Sequence, residues 1–367
     1  MLVYISIIAL LFFLNILDTY NIISKKYNSV IYFSLCLIII LIVGLRWETG
    51  TDWTPYLQNF YNTTSLEIVL VNALTGFEVG YGLLVLSIRS LTENYTYFLI
   101  LHSIVFYFLI FYFNKKASPY PYLSFLLFFV STMGVLGSNR QLLALSICLF
   151  ALQFLINGKR IFFLTSIILA SFIHSTAFIF FIYYFLNRDF SKFIILFSIV
   201  LAIIIGNTTL PVTLFGRVAN LIGVASAQKA DFYKDSVDIA TLSIIGLIRR
   251  LFYLLLFMFN YNTLKNKVKY YKLLFNGYVF GLIFYFLFSN SLLILVARGS
   301  LYFNVMENVL LASLLLLFDN KRDRVILAFL LTIYAFFLFR QSIAPYPDLF
   351  LPYKGVFINS DFSREMY

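Results

Sequence analysis

Twelve stretches of this chain run through apolar residues almost without interruption. They lie at about 3–20, 29–46, 95–114, 119–134, 140–157, 161–174, 175–186, 193–206, 241–260, 272–290, 300–318 and 325–342. A helix needs about 20 apolar residues to cross a ~30 Å hydrocarbon layer, where the backbone must satisfy its own hydrogen bonds. The continuity of the runs excludes a membrane β-barrel, whose strands alternate polar and apolar residues. Composition excludes a water-soluble enzyme and a disordered chain: 62% of residues are hydrophobic and 12% charged, against ~25% charged in a soluble domain. The expected fold is all-α: a polytopic transmembrane helix bundle of about 12 spans. It forms a single integral membrane domain over residues 1–367, with two larger outer loops at 47–94 and 207–240.

Some segments fit this pattern less simply. The runs 161–174 and 175–186 are short, and read as two tight spans or one broken hairpin. The stretch EVGYGLLVLSIRSL at 78–91 is too short to span and reads as re-entrant or interfacial. The N-terminal MLVYISIIALLFFLNILDTY lacks a basic flank and a small-residue cleavage site, so it reads as a retained span.

The charges are segregated. Lys25, Lys26, Lys115, Lys116, Lys159, Arg160, Arg188, Lys192, Lys265, Lys267, Lys269, Lys272, Lys321, Arg322 and Arg324 occupy six short loops, with Asp189, Asp319 and Asp323 as the only acids there. By the positive-inside rule these loops face the cytoplasm, and both termini lie outside. This accounts for most of the net charge of +11 and leaves no extended basic face for nucleic acid.

Most remaining basic residues are arginines: Arg46, Arg89, Arg140, Arg217, Arg249, Arg250, Arg298 and Arg340. They sit toward the outer half, against the orientation rule. A mid-helix arginine costs ~2.5–3.5 kcal/mol on the insertion scale, so it calls for a reason. Arg249 and Arg250 are ~100° apart on a helix and cannot share one facing. Arg298 and Tyr302 share a face at i,i+4. Guanidinium forks match phosphate oxygens, so an outward-open cavity with several of them suits an anionic lipid head group, phosphate or pyrophosphate. The competing reading is snorkelling, or pairing with acids such as Glu307.

The outer loops also hold acids: Glu48, Asp52, Glu67, Glu78 and Glu93 in the first, Asp231, Asp235 and Asp238 in the second. GLRWETGTDWTPYLQNF places Arg46 and Asp52 on either side of a glycine turn, among Trp47, Trp53, Tyr56, Phe60 and Tyr61. Aromatic faces beside carboxylates suit a sugar, and they also suit an interfacial aromatic belt. Of the two histidines, His102 reads as a hydrogen-bonded interior residue. His174, at a predicted outer turn level with Arg140, can exchange a proton near neutral pH. Cys36 and Cys148 fall in apolar runs and imply neither a disulfide framework nor a metal cluster. No Walker A loop, zinc spacing, nucleophile elbow or dinucleotide fingerprint is present, so neither a cofactor nor a metal is expected. No internal repeat is evident, which counts against many transporter folds.

In this order along the chain, GLRWETGTDWTPYLQNF from Gly44, FEVGYGLL from Phe77, NYTYF from Asn94, NRQLLALSICLFA from Asn139, LASFIHSTAF from Leu169, ARGSLYF from Ala297 and LPYKGVF from Leu351 resemble the EpsG family of bacterial polysaccharide polymerases, a branch of the Wzy-type polymerases. Family patterns often carry an aromatic after the G-T-D, here Trp53, and a proline after the histidine, where this chain has Ser175.

The resemblance implies a glycosyltransferase of the bacterial cytoplasmic (inner) membrane, acting in capsule, exopolysaccharide or O-antigen synthesis with an outward-facing site. Such an enzyme transfers a growing glycan from undecaprenyl pyrophosphate to the non-reducing end of a new lipid-linked unit. It needs no nucleotide and no metal. The implied partners are the undecaprenyl-pyrophosphate-linked oligosaccharide, membrane lipid and a chain-length regulator protein.

In that setting the expected catalytic residues are His174, Asp52, Arg140 and Arg298, and the expected binding residues are Arg46, Arg249, Arg250, Glu78, Tyr302 and Tyr353. Arg140, Arg249, Arg250 and Arg298 would take the departing pyrophosphate. His174, or else Asp52 or Glu78, would accept the proton of the attacking hydroxyl. Arg46, the first-loop aromatics, Tyr302 and Tyr353 would position the glycan. A flippase or transporter of lipid-linked oligosaccharides, a glycan ligase and an acyltransferase are the alternatives.

Overall fold

A computed structural model describes residues 1–74, 76–222 and 244–364. The second half of the second predicted outer loop, from residue 223 to its end, with Lys229, Asp231, Lys234, Asp235 and Asp238, lies outside the described residues. Among the described residues the fold is all-helical, and its only β pairing is the isolated bridges of Gly355 with Arg46 and with Ile358.

All twelve apolar runs become helical, but they differ in length. Seven helices are long and apolar enough to cross a membrane: Leu2–Thr19, Lys26–Gly44, Tyr95–Ala117, Asn139–Ile156, Tyr271–Phe288, Leu295–Leu317 and Lys321–Ile343. Two more runs bend at a break, Lys192–Gly206 against Leu210–Arg217 by 84° and Ile244–Phe259 against Tyr261–Lys267 by 70°. Among the described residues, seven to nine candidate spans are therefore long and apolar enough to cross, and the dozen that the runs predict is not confirmed. The difference lies in three short pieces: Pro121–Val135, Arg160–Ile173 and Ser175–Leu186. A helix of 14 residues, such as Arg160–Ile173, reaches ~21 Å, short of the hydrocarbon thickness.

The described residues form two compact units, one comprising Met1–Phe178 with Leu311–Tyr367, the other Ile179–Leu310. In the first unit we number the helices α1 (Leu2–Thr19), α2 (Lys25–Gly44), α3 (Trp53–Asn62), α4 (Leu66–Leu74), α5 (Val79–Arg89), α6 (Tyr95–Ala117), α7 (Pro121–Thr132), α8 (Asn139–Ile156) and α9 (Arg160–Ile173). The Lys321–Ile343 helix completes this unit, packing on α1 and α7. α6 lies between α2 and α8, and α9 packs on both α8 and α5.

Local chemistry sets several ends. Asn94 caps α6 by accepting from the Thr96 N–H at 2.9 Å. Asn320 caps the Lys321–Ile343 helix through Arg322 N–H at 3.0 Å. Pro121 opens α7, where a missing N–H costs nothing. Lys115 and Lys116 close α6, favourably placed on the helix dipole.

The basic turns of this unit gather at one end. Lys321 Nζ donates to Tyr20 O at 3.1 Å and Lys115 Nζ to Ser29 Oγ at 3.1 Å. Tyr122 donates to Asn28 Oδ1 at 2.6 Å, and Tyr112 to Gln153 Oε1 at 2.7 Å. α8 runs away from that end, so Asn139 and Arg140 start it ~27 Å from the 158–160 turn.

In the second unit the Tyr271–Phe288 helix is central. Lys192–Gly206, Tyr183–Leu186, Ile244–Phe259 and Leu301–Asn304 all pack on it. Asn276 on this helix donates to the carbonyls of Leu186 and Arg188, both at 2.7 Å.

Candidate active site

The site-forming end of the first unit begins with two glycine turns pressed backbone to backbone. Gly50 has φ +109°, a left-handed conformation, and a Cβ there would meet Gly137 N at 2.7 Å. A Cβ on Gly137 would meet Asp52 N at 2.6 Å. This contact brings the Gly50-Thr51-Asp52 turn against the start of α8. Asp52 stands at the N-cap position of α3, yet its side chain does not cap that helix. Its Oδ2 instead accepts from Ser138 Oγ at 2.8 Å.

Glu78 occupies the N-cap position of α5 and is the centre of the site. Its Oε2 accepts from Arg140 Nη1 at 2.7 Å. Its Oε1 accepts from the backbone N–H of Ser175 at 3.0 Å and from Ser175 Oγ at 2.9 Å. His174 Nδ1 lies 3.5 Å from the same oxygen. Burial alone would raise the carboxyl pKa. His174 and Arg140, with the two Ser175 donors, outweigh it and hold Glu78 below the ordinary glutamate value.

Two features of the backbone make this convergence possible. α9 ends at Ile173, and His174 is extended (φ −150°, ψ 119°), which turns the next residues toward α5. A Cβ on Gly80 would meet Phe172 O at 2.7 Å, so α5 and α9 approach as closely as they do only because residue 80 is glycine. Ser175, standing where the family pattern often has proline, offers an N–H that proline lacks.

Arg140 is itself held on several sides. Its Nε donates to Tyr56 Oη at 3.2 Å and its Nη1 also to Gly76 O at 2.9 Å. The guanidinium lies 4.2 Å from the centre of the Phe77 ring. Tyr56, Phe77 and Tyr81 thus form the aromatic wall of the carboxylate pocket, with Tyr56 and Tyr81 at 5.7 Å, edge to face.

Beneath this pocket lies a buried polar clamp. Arg46 is only 2% exposed. It donates to Val43 O at 2.9 Å and to Asn139 Oδ1 at 2.9 Å. Asn139 Nδ2 donates to Tyr95 Oη at 3.3 Å, and His102 Nε2 meets Asn139 O at 2.8 Å. Burial lowers the affinity of Arg46 for its proton, and the oxygens of Tyr95, Tyr107, Tyr353 and Tyr4 oppose that.

The C-terminal segment closes over the same residues. Trp47 N–H donates to Lys354 O at 3.0 Å and Val356 N–H to Leu45 O at 2.9 Å. Lys354 pairs with Glu48.

The sequence-predicted residues therefore divide. Glu78, Arg140 and His174 come together, and Asp52 joins the adjoining turn. Arg46 and Tyr353, expected to touch glycan, are buried: Tyr353 donates to Ile42 O at 2.5 Å. Arg89 pairs with Glu93 at 3.2 Å.

The other expected residues belong to the second unit. Arg249 and Arg250 are half-buried on the Ile244–Phe259 helix, and the Tyr278 hydroxyl lies in the field of both and of Glu307. Arg298 is exposed, and Tyr302 is buried with its ring 6.1 Å from Phe180.

Sequence reasoning missed Asn139, Ser138 and Ser175. Only the departure from proline at 175 carried a signal. Among the described residues, no three His, Cys, Asp or Glu are placed to hold a metal ion. Chemically, the cluster is a carboxylate held ionised beside an imidazole, an arrangement able to move one proton.

Among known proteins, the model of the EpsG family, a family of polysaccharide polymerase-like membrane proteins, matches residues 29–355. No curated protein and no solved structure matches the chain.

Proposed function

The chain belongs to the EpsG family and is a membrane protein of polysaccharide biosynthesis, and on that premise we propose that it polymerises undecaprenyl-pyrophosphate-linked oligosaccharide repeat units on the outer face of the bacterial cytoplasmic membrane. The observation that carries this reading is the grip on Glu78, shared by Arg140, Ser175 and His174, at the end of the first unit remote from its basic turns.

His174 is the proposed base. Its Nδ1 is met by Glu78 Oε1 at 3.5 Å, the Thr176 N–H at 3.5 Å and Thr176 Oγ1 at 3.4 Å. An ionised carboxylate only accepts, so in the proposed state Glu78 accepts from a proton on Nδ1, and Nε2 is the basic nitrogen. An acceptor-sugar hydroxyl gives its proton to Nε2 as its oxygen bonds to the anomeric carbon of the donor. The bond from that carbon to the pyrophosphate oxygen breaks, and the electron pair leaves with undecaprenyl pyrophosphate. The imidazolium formed is stabilised by Glu78.

Arg140 is committed to Glu78, so it serves this pair as a positioning group. Arg249, Arg250 and Arg298, in the second unit, are proposed as ligands of a phosphate-bearing anion on the chemistry of the guanidinium fork alone. Trp53, Tyr56 and Phe60, expected beside the glycan, are buried in a core cluster, so Asp52, Trp47 and Tyr61 are the first-loop residues proposed to meet it.

Proteoliposomes holding the purified protein and lipid-linked repeat units test the proposal. A ladder of polymers at multiples of the repeat supports it. Translocation without lengthening would identify a transporter, and a single transfer to a different acceptor would identify a ligase. Either result overturns the polymerase reading.

A further inference from the structure

At the basic end of the first unit, a cleft lies between α2 and α6, away from the residues described above. It holds about 120 Å³ of space, below the ~300–1,000 Å³ of a whole-ligand pocket, so it is a narrow slot that takes a length of chain and not an entire small molecule. Tyr32 and Phe111 form its buried floor, their ring centres 4.9 Å apart. Phe33 and Phe108 form its rims and are 53% and 50% exposed.

The mouth is cationic. Lys115 Nζ reaches across from α6 to α2, donating to Ser29 Oγ, and stands 5.9 Å from the centre of the Tyr32 ring. Lys116 stands 5.8 Å from the Tyr112 ring. Among the described residues, no carboxylate pairs with either ammonium. Asp18, an acid at this end, is taken by Asn28 Nδ2 at 2.5 Å.

An apolar slot under two uncompensated cations fits one kind of molecule, an amphiphile with an anionic head. Orientation in the membrane explains why lysines occur in this turn, but it does not require an aromatic slot beneath them. A choline head group would seek aromatic faces, and here Lys115 and Lys116 already cover Tyr32 and Tyr112. A free phosphate would leave the slot unfilled.

We propose that this cleft binds one anionic phospholipid, with an acyl chain between Phe33 and Phe108 and its phosphate against Lys115 and Lys116. The proposal is independent of the polymerase reading, because it needs no turnover.

The test uses the full chain carrying Phe33→Trp in detergent, titrated with phosphatidylglycerol or phosphatidylcholine brominated on the acyl chain. Quenching of the new tryptophan, measured against the parent with Trp47 and Trp53 alone, reports occupancy of the cleft itself. Phosphatidylglycerol should quench at lower concentration than phosphatidylcholine. Lys115→Gln should weaken that preference about fivefold, and Lys115→Gln/Lys116→Gln further, as expected for about 1 kcal/mol of head-group attraction per lysine. Equal quenching by the two lipids overturns the proposal, as does a preference that survives the double substitution. Competition by inorganic phosphate would reassign the mouth to a free anion. Protein-concentration-dependent shielding without lipid would reassign the cleft to a second copy of the chain.

Discussion

Arg46 donates through Nη2 to the side-chain oxygen of Asn139 at 2.9 Å, joining the end of α2 to the first residue of α8. The next residue is Arg140, which grips Glu78 at 2.7 Å. A buried guanidinium thus fixes the helix start from which the site's own arginine projects. Arg46→Lys keeps a charge but cannot reach Val43 O and Asn139 Oδ1 together. One charged hydrogen bond should be lost, worth about 1.5–3 kcal/mol. Thermal unfolding in detergent should fall by several degrees, and an unchanged midpoint would contradict the clamp.

His174→Ala should reduce polymer formation by about 10²–10⁴-fold, the usual contribution of a general base. The substitution leaves Glu78 bonded to Arg140 and Ser175, so the folded fraction should change little. Initial rates with lipid-linked repeat units, set beside the unfolding midpoint, separate the two effects. A rate within threefold of the parent would remove His174 from the proton transfer.

Ser175 offers a graded test of the same carboxylate. Ser175→Ala removes the Oγ donor and keeps the N–H, whereas Ser175→Pro removes both. Activity should fall in that order, with Ser175→Thr close to the parent. Equal rates for all three would mean that the Ser175 donors do not set the state of Glu78.

The depressed pKa of Glu78 carries a pH signature. A group held more acidic in the folded protein stabilises it above its unfolded value, and that contribution disappears as pH falls through the folded value. The stability difference between the parent and Glu78→Gln should therefore not shrink from pH 7 down to about 4.3, and protonation of His174 beside the carboxylate in that range should enlarge it. It should shrink only below that. A difference that already collapses between pH 7 and 5 would show that the carboxylate is not held ionised by its partners.

How much of this was legible follows from the kind of signal each feature leaves. Hydrophobicity located the helices of the twelve runs, because burial in lipid is a composition effect, and missed the shorter helices Trp53–Asn62, Leu66–Leu74 and Leu210–Ile222 inside the two predicted outer loops. It did not settle the number of spans, because a run as short as 161–174 gives a helix, Arg160–Ile173, that falls short of a full crossing and ends with His174 extended. Glu78, Arg140 and His174 each stood out as polar groups in apolar surroundings. Their convergence was not readable, since 62 and 97 positions separate Glu78 from Arg140 and Ser175. Arg46 looked like an outer-loop ligand because nothing local shows that Lys354 and Gly355 return over it from 300 residues away. Asn139 and Ser175 are ordinary polar residues in isolation, and gain meaning only from what their partners lack.

Gly80 gives the sharpest separation of geometry from chemistry. It contributes no functional group, yet a Cβ at this position would meet Phe172 O at 2.7 Å, Phe172 C at 2.9 Å and Phe172 Cβ at 2.9 Å. The first two are backbone atoms of α9, which cannot rotate out of the way. Gly80→Ala must therefore lift the start of α5 off the end of α9. That movement draws Glu78, two residues earlier, away from Ser175 and His174 and leaves its bond to the Arg140 side chain able to follow. Alanine favours a helix by roughly 1 kcal/mol over glycine, so the helix itself should persist. The expected outcome is a protein that still folds, with an unfolding midpoint lowered by a few degrees, and polymer formation reduced at least tenfold. Gly82→Ala is the matched control on the same helix, because the nearest atoms to its Cβ belong to the Val69 side chain, with Cγ1 at 2.7 Å, and not to the backbone of α9. Equal activities for the two variants would show that the approach of α5 to α9 does not position the carboxylate.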